Sequence, residues 1–501
     1  MRRFYDLPFI VILIGMGAVA MLIPAIHGAA VRDYETARAF FYWAILFLFF
    51  FVMVALATSG MRIRRQGRSH LISITACLAG LPLMLAVPFA ESVPDTRFLN
   101  AYVEMVSSLT TTGLTLFEPE RLPPTVHLWR ALVGWLGGLF IWVTAIAVMA
   151  PLNLGGFEVS SLREIGEGTR QIDRVADPAM RLRRYTARLF PIYAGLTLAL
   201  WAALFIAGET PLAAICHAMS TLSTSGISPL GGVPEGTAGL RGELIIFIFF
   251  VFALSRQTFL VDDRADTWRS LGKDPELRLG VFIAVGVAVL LFLRHWAVGV
   301  EEGDEVSVME GLRGLWGALF TVTSFLTTTG FVSEGWASTR AWSDFSSTGV
   351  LLLGLAVFGG GVATTAGGVK LLRVYALYRH GIREMEKLVM PSSLGSAGYT
   401  GRQFRRQGAY AAWVFFMLFA ISIAGVMAAL SLVGSLDFED TMIITIASLS
   451  TTGPLLQIAG DIPVQLAPLS DGAKAIVSAA MILGRLETLA IIALLNPEFW
   501  R

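Results

Sequence analysis

Thr110-Thr111-Thr112-Gly113 is the first of four tracts in which three hydroxyl-bearing residues precede a glycine. Tracts 2 to 4 are Ser223-Thr224-Ser225-Gly226, Thr327-Thr328-Thr329-Gly330 and Ser450-Thr451-Thr452-Gly453, and successive glycines are 113, 104 and 123 residues apart. Such a repeat indicates four copies of one structural unit. A single tract is typical of an ordinary turn. Four in register, each between long apolar segments, predict polar backbone around a common axis, as in an ion filter.

The composition indicates a membrane protein. Of the 501 residues, 55% are hydrophobic and 15% are charged, whereas soluble domains carry about a quarter charged residues. Runs of about 20 apolar residues can cross a bilayer. The first run is too long for a signal peptide and lacks a cleavage site, so it is expected to be a retained helix. Ten crossings are predicted near residues 8–30, 39–59, 70–90, 126–150, 186–207, 240–261, 277–298, 346–380, 408–434 and 471–495.

Lys and Arg are concentrated in alternate loops, which predicts the orientation of the chain. The loops at 163–188 and 379–406 are rich in arginine, whereas the loop at 301–305 is acidic. The positive-inside rule then places both termini in the cytoplasm. The net charge of +1 hides this asymmetry. Arginines distributed by topology form no stripe for nucleic acid, so none is expected as a partner.

A short, mildly apolar stretch precedes each tract, at 101–109, 211–222, 311–326 and 438–449. These stretches are too short to span the bilayer and are predicted to be re-entrant half-helices. The predicted fold is an all-α integral membrane protein with four pseudo-symmetric repeats of helix, pore helix and helix around one ion pore. The predicted units are two peripheral transmembrane helices at 1–69 and pore repeats at 70–185, 186–276, 277–406 and 407–501.

The eighth apolar run, 346–380, is too long for one straight crossing and contains a glycine-rich segment from Gly359 to Lys370. Each glycine costs a helix about 1 kcal/mol relative to alanine, so the helix is expected to break there. The segment lacks the ending and the preceding strand of a phosphate-binding loop. Unwound backbone beneath the filter is the better interpretation.

The chemistry expected of the tracts is cation coordination. Backbone carbonyls can replace the hydration shell of a cation, and the final glycine allows the unusual backbone that turns a carbonyl inward. The hydroxyls could add oxygen ligands or tie the strand to its surroundings. The negative C-terminal end of each half-helix dipole favours cations. The predicted ion-binding residues are Thr111, Thr112, Gly113, Thr224, Ser225, Gly226, Thr328, Thr329, Gly330, Thr451, Thr452 and Gly453.

These tracts, the two leading helices, the glycine-rich segment and Gly484-Arg485-Leu486-Glu487 resemble the Trk/Ktr/HKT superfamily of potassium transporters, most closely its TrkH-type subunits, over essentially the whole chain. The resemblance implies potassium uptake through a gated pore, a homodimer in a bacterial inner membrane, and a cytosolic NAD- or ATP-binding ring of the TrkA type. The loops at 163–188 and 379–406 are the expected docking surface. Two departures bear on potassium over sodium selectivity: tract 2 continues as Gly226-Ile227, and Pro454 follows Gly453.

Arg485 lies 14 residues into its span, about 21 Å along a helix. An arginine at that depth needs partners inside the protein. The resemblance places it against the glycine-rich segment. Pairing with Glu487 or with helix-end carbonyls is the alternative. Lys370 could add positive charge near the cation path or snorkel to the inner edge. The predicted gate residues are Gly359, Gly360, Gly361, Gly367, Gly368, Lys370 and Arg485.

Other residues carry weaker signals. Cys77 and Cys216 lie in apolar segments and are expected to be buried hydrophobes. The six histidines lack metal-ligand spacing, and His217 is expected to be packed or interfacial rather than in the pore. Glu104 could hydrogen-bond behind the filter or form part of a charge ring. No catalytic constellation is present, so neither an enzyme nor a bound cofactor is expected. The resemblance implies that potassium is the transported ion, and the alternatives are a K+/H+ or K+/Na+ symporter or a less selective cation channel.

Overall fold

The structure is a computed structural model. It describes residues 9–58, 66–150, 178–255, 272, 274–302, 308–337, 339, 348–390, 406–434, 436–460 and 462–486. Within these ranges all regular secondary structure is helical. The helices, in chain order, are α1 (Phe9–Ala20), α2 (Leu22–Val31), α3 (Tyr34–Thr58), α4 (Gln66–Ser92), α5 (Phe98–Leu109), α6 (Pro124–Thr144), α7 (Pro178–Ile206), α8 (Pro211–Ser223), α9 (Gly239–Phe249), α10 (Val251–Leu254), α11 (Pro275–Glu302), α12 (Val308–Leu326), α13 (Thr348–Phe358), α14 (Leu371–Val389), α15 (Arg406–Val433), α16 (Phe438–Leu449), α17 (Leu455–Ile458) and α18 (Asp471–Leu486).

The first apolar run forms two helices rather than one. The break between α1 and α2 falls at Met21, three residues before Pro24. Proline has no N–H to donate to the carbonyl of Ala20, four residues earlier, and its ring crowds that carbonyl. With α3, these helices pack against α4 and α6. The leading helices therefore lie beside the first repeat.

The four half-helices are α5, α8, α12 and α16, and each ends at or immediately before one of the four tracts. The predicted ends at 109, 222, 326 and 449 agree with the structure to within one residue. Each half-helix packs between the longer helices that flank it in sequence, for example α5 between α4 and α6, and α16 between α15 and α18. The predicted unit of helix, half-helix, tract and helix is therefore confirmed.

The repeats close into a ring because the helix after each tract also packs against the next half-helix. Thus α6 contacts α8, α9 contacts α12, α13 contacts α16, and α18 contacts α5. At the α18–α5 seam, Arg97 Nη2 lies 2.6 Å from Asp471 Oδ2, and Lys474 Nζ donates to Asn100 Oδ1 at 3.0 Å. The first and last repeats are therefore neighbours in space.

Burial separates the helices that line the centre from those that face lipid. Nearly every side chain of α6 is buried, whereas α3 and α15 expose large apolar side chains along most of their length. Seven described helical segments are long and apolar enough to cross a membrane. The predicted crossings at 240–261 and 471–495 extend into residues outside the described ranges. The chain is a multi-pass membrane protein.

The predicted break in the eighth apolar run is present. α13 ends at Phe358 and α14 begins at Leu371, with residues 359–370 between them, here called the glycine loop. Gly359 and Gly368 have φ of +71° and +74°. Glycine adopts such angles without the penalty that a side chain brings. The two glycines lie side by side, since a Cβ on Gly368 would come within 2.7 Å of Gly359 Cα.

Candidate functional site

Each half-helix ends in the same left-handed turn, and a threonine forms it. The second residue of every tract has φ between +54° and +57°, and these residues are Thr111, Thr224, Thr328 and Thr451. A β-branched residue in this conformation is an outlier that costs about 1 kcal/mol or more. Four equal outliers at equivalent positions indicate that the surrounding fold imposes one backbone shape on all four tracts.

Backbone hydrogen bonds fix this turn. Thr112 N donates to Ser107 O at 2.8 Å and Thr111 N donates to Ser108 O at 2.9 Å. These are the two bonds of a Schellman motif, with threonine at the position that glycine usually takes. The bond to the residue five positions earlier recurs in the other repeats, from Ser225 to Ser220 at 3.0 Å, Thr329 to Ser324 at 2.9 Å and Thr452 to Ala447 at 2.8 Å. Each tract therefore leaves its half-helix in the same direction.

The hydroxyls of the first and third tract residues bind each other. The oxygen pairs are Thr110 with Thr112 at 2.8 Å, Ser223 with Ser225 at 3.0 Å, Thr327 with Thr329 at 3.1 Å and Ser450 with Thr452 at 3.3 Å. At the second position the pattern differs, because the buried hydroxyls of Thr111 and Thr451 have no hydrogen-bond partner among the described residues. Two of the three hydroxyls thus hold each tract, and the middle hydroxyl of tracts 1 and 4 takes no part in this bonding among the described residues.

The tract glycines have positive φ in three of the four copies: Gly113 at +72°, Gly226 at +64° and Gly330 at +82°. Gly453 does not share this conformation. A positive φ is therefore present at three of the four tract glycines. The cause of the difference in tract 4 is the next residue, Pro454, after which the chain turns at once into α17.

The four tracts meet in ring order. A Cβ on any tract glycine would meet the following tract: Gly113 would meet Ser225 O, Gly226 would meet Thr329 O, Gly330 would lie 2.7 Å from Pro454 Cγ, and Gly453 would meet Leu114 N. Tract 4 thus returns to tract 1. The structure brings all twelve predicted ion-binding residues to one place, here called the candidate filter.

The residue nine positions before each tract glycine faces the chain that leaves the candidate filter. Glu104 Oε2 accepts a hydrogen bond from Leu116 N at 3.1 Å. Thr321 Oγ1 accepts one from Ser333 N at 3.2 Å. His217 Nε2 lies 2.9 Å from Ser228 Oγ. The fourth repeat has an apolar residue at this position, Ile444, and its chain forms α17 instead of an extended segment. Three repeats therefore share a polar brace behind the candidate filter, and the fourth lacks it.

Buried carboxylates strengthen two of these braces. Glu104 Oε1 lies 2.6 Å from Arg130 Nη2, and both side chains are almost fully buried. In the third repeat the carboxylate comes from α9, where Glu243 accepts hydrogen bonds from Ser333 Oγ at 2.7 Å and Glu334 N at 2.8 Å. Of the two interpretations of Glu104, the structure shows the hydrogen bond behind the filter. Glu243 was missed because its partners lie 90 residues further along the chain.

The glycine loop lies against the inner ends of tracts 2, 3 and 4. Thr365 Oγ1 donates to Leu222 O, just before tract 2, at 3.0 Å. Gly367 N donates to Thr328 Oγ1 in tract 3 at 2.7 Å. A Cβ on Gly367 would overlap Ser450 O in tract 4. The loop therefore contacts the candidate filter directly, and no side chain would fit at Gly367.

Arg485 holds the middle of the glycine loop. Its Nη1 donates to Thr365 O at 2.7 Å, and the residue is buried. The preceding Gly484 allows α18 to approach half-helix α16, since a Cβ there would overlap Leu449 O. Gly137 has the same relation to Leu109 O in the first repeat. The structure places Arg485 where the resemblance implied, whereas Glu487 lies outside the described residues.

Lys370 turns into the protein rather than toward the inner membrane edge. Its Nζ donates to Ala366 O within the glycine loop, and the side chain is buried. A cavity next to the loop is lined by Lys370 and Arg485 together with Thr364, Ile141 and Met149. The snorkelling alternative is therefore wrong, because the lysine folds back onto the carbonyl four residues before it.

Two further charged residues anchor the glycine loop and were not predicted. Glu276 Oε2 accepts a hydrogen bond from Val362 N at 3.2 Å, at the start of the loop. Arg373 Nη1 donates to Val369 O at 3.1 Å, and its guanidinium carbon lies 3.6 Å from the centroid of the Phe415 ring. The sequence signal for Arg373 was its place three residues after Lys370, in an apolar stretch.

The weaker candidates are structural. His217 is buried and packs edge-on against Phe331 at 5.6 Å between ring centroids. Cys77 and Cys216 are buried free thiols. No group of three or more His, Cys, Asp or Glu in the described ranges could hold a metal ion.

Residues 244–499 match the TrkH family of cation transport proteins. The chain belongs to the TrkH family. It is 30% identical to a Trk system potassium uptake protein TrkH of Escherichia coli over 82% of this chain and 81% of that protein. It is 28% identical to the TrkG protein of the same species over 98% and 97% of the two chains. The crystal structure of the potassium transporter TrkH from Vibrio parahaemolyticus superposes with a TM-score of 0.80 at 26% identity, over all of both chains. The TrkH fold therefore extends over the whole sequence.

Proposed function

We propose that this chain takes up potassium across a bacterial inner membrane through the candidate filter, with the glycine loop as its gate. The observation that carries the proposal is the ring of four equivalent tracts at the C-terminal ends of four half-helices. The similar proteins of Escherichia coli and Vibrio parahaemolyticus are named as potassium uptake proteins or a potassium transporter.

The electrostatics of the site favour a cation. Four half-helix C-termini point at one centre, and each carries a partial negative charge of about half an elementary charge. The left-handed threonines and the positive-φ glycines turn the backbone so that carbonyls can replace a hydration shell. The buried carboxylates Glu104, Glu243 and Glu276 each accept backbone hydrogen bonds and hold the frame.

The membrane potential is sufficient to drive the uptake. A potential of 100 mV is equivalent to about 2.3 kcal/mol per charge, which supports about 50-fold accumulation of a monovalent cation. The glycine loop lies at the inner side of the filter and contacts three tracts. A shift of this loop away from Thr328 and Leu222 would open the path without changing the filter itself.

Regulation and assembly belong to the same proposal. The chain is expected to form a homodimer, with both termini in the cytoplasm, and to bind a cytosolic ring of NAD- or ATP-binding subunits. Much of the two arginine-rich loops proposed for docking, 163–188 and 379–406, lies outside the described residues. Co-purification with such a nucleotide-binding protein supports docking, whereas full regulation of the isolated chain contradicts it.

Two experiments test the proposed function. Expression in a host that lacks potassium uptake should restore growth at low potassium, and a Gly330→Arg chain that reaches the membrane should not. Flux of radioactive rubidium into liposomes should then follow the potassium gradient alone. Flux that also requires a proton or sodium gradient would instead establish the symport alternative, and equal potassium and sodium flux would establish a less selective channel. Failure to restore growth by a properly inserted chain contradicts potassium uptake.

A further inference from the structure

Tract 4 leaves the candidate filter differently from the other three tracts. After Gly113, Gly226 and Gly330 at least five non-helical residues follow, whereas after Gly453 the chain enters α17 within two residues. Pro454 stands at the N-terminal end of α17, with φ of −59° and ψ of −12°. Proline suits the start of a helix because its φ is already fixed and it has no N–H that needs a partner.

The first turn of α17 takes up, in hydrogen bonds, the carbonyls that tract 4 would otherwise direct at the axis of the filter. Leu455 N donates to Thr452 O at 3.3 Å, and Leu456 N donates to Gly453 O at 3.1 Å. Among the described residues, the carbonyls of the other three tract glycines accept no comparable backbone hydrogen bond. In a helical turn, each backbone carbonyl points roughly along the helix axis. Among the four tract glycines, Gly453 is therefore the one whose carbonyl is already engaged by a backbone N–H of the described residues.

Tract 4 is also hydrogen-bonded to tract 1, its neighbour in the ring. Gly453 N donates to Thr112 O at 2.6 Å, so a carbonyl of tract 1 is directed at tract 4. The ring of Pro454 fills the space between tracts 2 and 3, since its Cγ lies 2.7 Å from the position of a Cβ on both Gly226 and Gly330. The proline ring of tract 4 therefore reaches the backbone of both tract 2 and tract 3 at the level of the tract glycines, here called the outer layer of the filter.

We propose that, because of Pro454, only tracts 1, 2 and 3 supply glycine carbonyls to the outer layer of the filter. The filter is then less strict in its selection of potassium over sodium. This inference rests on the proposed function. Selectivity among monovalent cations depends on the number and field strength of the coordinating carbonyls. With carbonyls from tracts 1, 2 and 3 only, water completes the shell of the ion. Water adapts to sodium as readily as to potassium, so the outer layer discriminates weakly.

The test is the ratio of potassium to sodium permeability in Pro454→Gly and Pro454→Ala chains. Both remove the ring, and glycine also weakens the start of α17, which frees the carbonyls of Thr452 and Gly453. The ratio, measured from reversal potentials in planar bilayers, should rise at least 3-fold in Pro454→Gly and less in Pro454→Ala. Pro229→Gly is the matched control, because Pro229 lies three residues after a tract glycine. That control should leave the ratio unchanged.

A second measurement does not depend on conduction. The difference in melting temperature between potassium and sodium buffers reports which ion the folded protein binds better. This difference should be larger in Pro454→Ala than in the unmodified chain. An unchanged or lower permeability ratio, together with an unchanged melting difference, overturns the role of Pro454. If the unmodified chain itself carries no potassium, the proposed function fails instead, and the two failures are thereby distinguished.

Discussion

Replacement of Arg485 by alanine should open the pore, and the structure gives the size of the effect. Among the described residues, the side chain donates a buried hydrogen bond to Thr365 O at 2.7 Å, and this bond joins α18 to the glycine loop. A hydrogen bond from a charged group contributes about 1.5–3 kcal/mol. A loss of about 2 kcal/mol shifts the equilibrium between closed and open forms about 30-fold. If about 1% of molecules are open, about 23% should be open in the variant.

The assay is rubidium flux into liposomes at fixed protein density, with the permeability ratio of potassium to sodium as a second readout. Arg485→Ala should raise flux about 20-fold, in proportion to the open fraction, with no change in the ratio. Arg485→Lys keeps the charge and loses the fork of donors, so it should give an intermediate flux.

Arg97→Ala is the matched control at the other end of α18. This arginine forms an exposed ion pair with Asp471, and such pairs contribute about 0–1 kcal/mol. Its flux should equal that of the unmodified chain. Reduced or unchanged flux in a folded Arg485→Ala protein refutes the reasoning, because the glycine loop would then be structural and the gate would lie elsewhere.

Three further changes test the filter and its frame. Gly330→Ala should lower the potassium to sodium permeability ratio, because a Cβ there meets Pro454 in a left-handed backbone, whereas Gly354→Ala, in open space, should not. Thr328→Val removes the acceptor of Gly367 N at 2.7 Å and should raise flux several-fold, while Thr328→Ser should conduct normally. Glu104→Ala leaves a buried arginine unpaired and should lower the free energy of unfolding by about 3–5 kcal/mol, measured by thermal melting, and an unchanged melting temperature would contradict the brace.

Much of the fold could be predicted from the sequence, because its strongest signals are local. The end of α5 at Leu109 follows from a short apolar stretch that meets a tract of hydroxyl residues. The broken helix follows from the glycines between Gly359 and Gly368. Bilayer length and glycine chemistry act within about 20 residues, which is the range that a sequence displays directly.

The part of the site that could not be predicted from the sequence depends on contacts between residues far apart in the chain. No local sequence pattern predicts that the strained backbone of tract 1 falls at Thr111 rather than at Gly113. The fold around the half-helix imposes this conformation. Glu276 contacts Val362 across 86 residues, and Arg373 depends on a ring from α15. The departure of tract 4 had a local signal in Pro454. Its consequence depends on tracts 1, 2 and 3, which only the folded ring brings to it.

The seam between α18 and α5 has a consequence for how the protein is made. Asn100 and Lys474, which meet there, are 374 residues apart, so the ring closes only when the last helix enters the membrane. A chain in which α18 has not yet been inserted leaves the flank of α5 at this seam open. The continuous wall of the ring therefore forms only after the fourth repeat has been inserted.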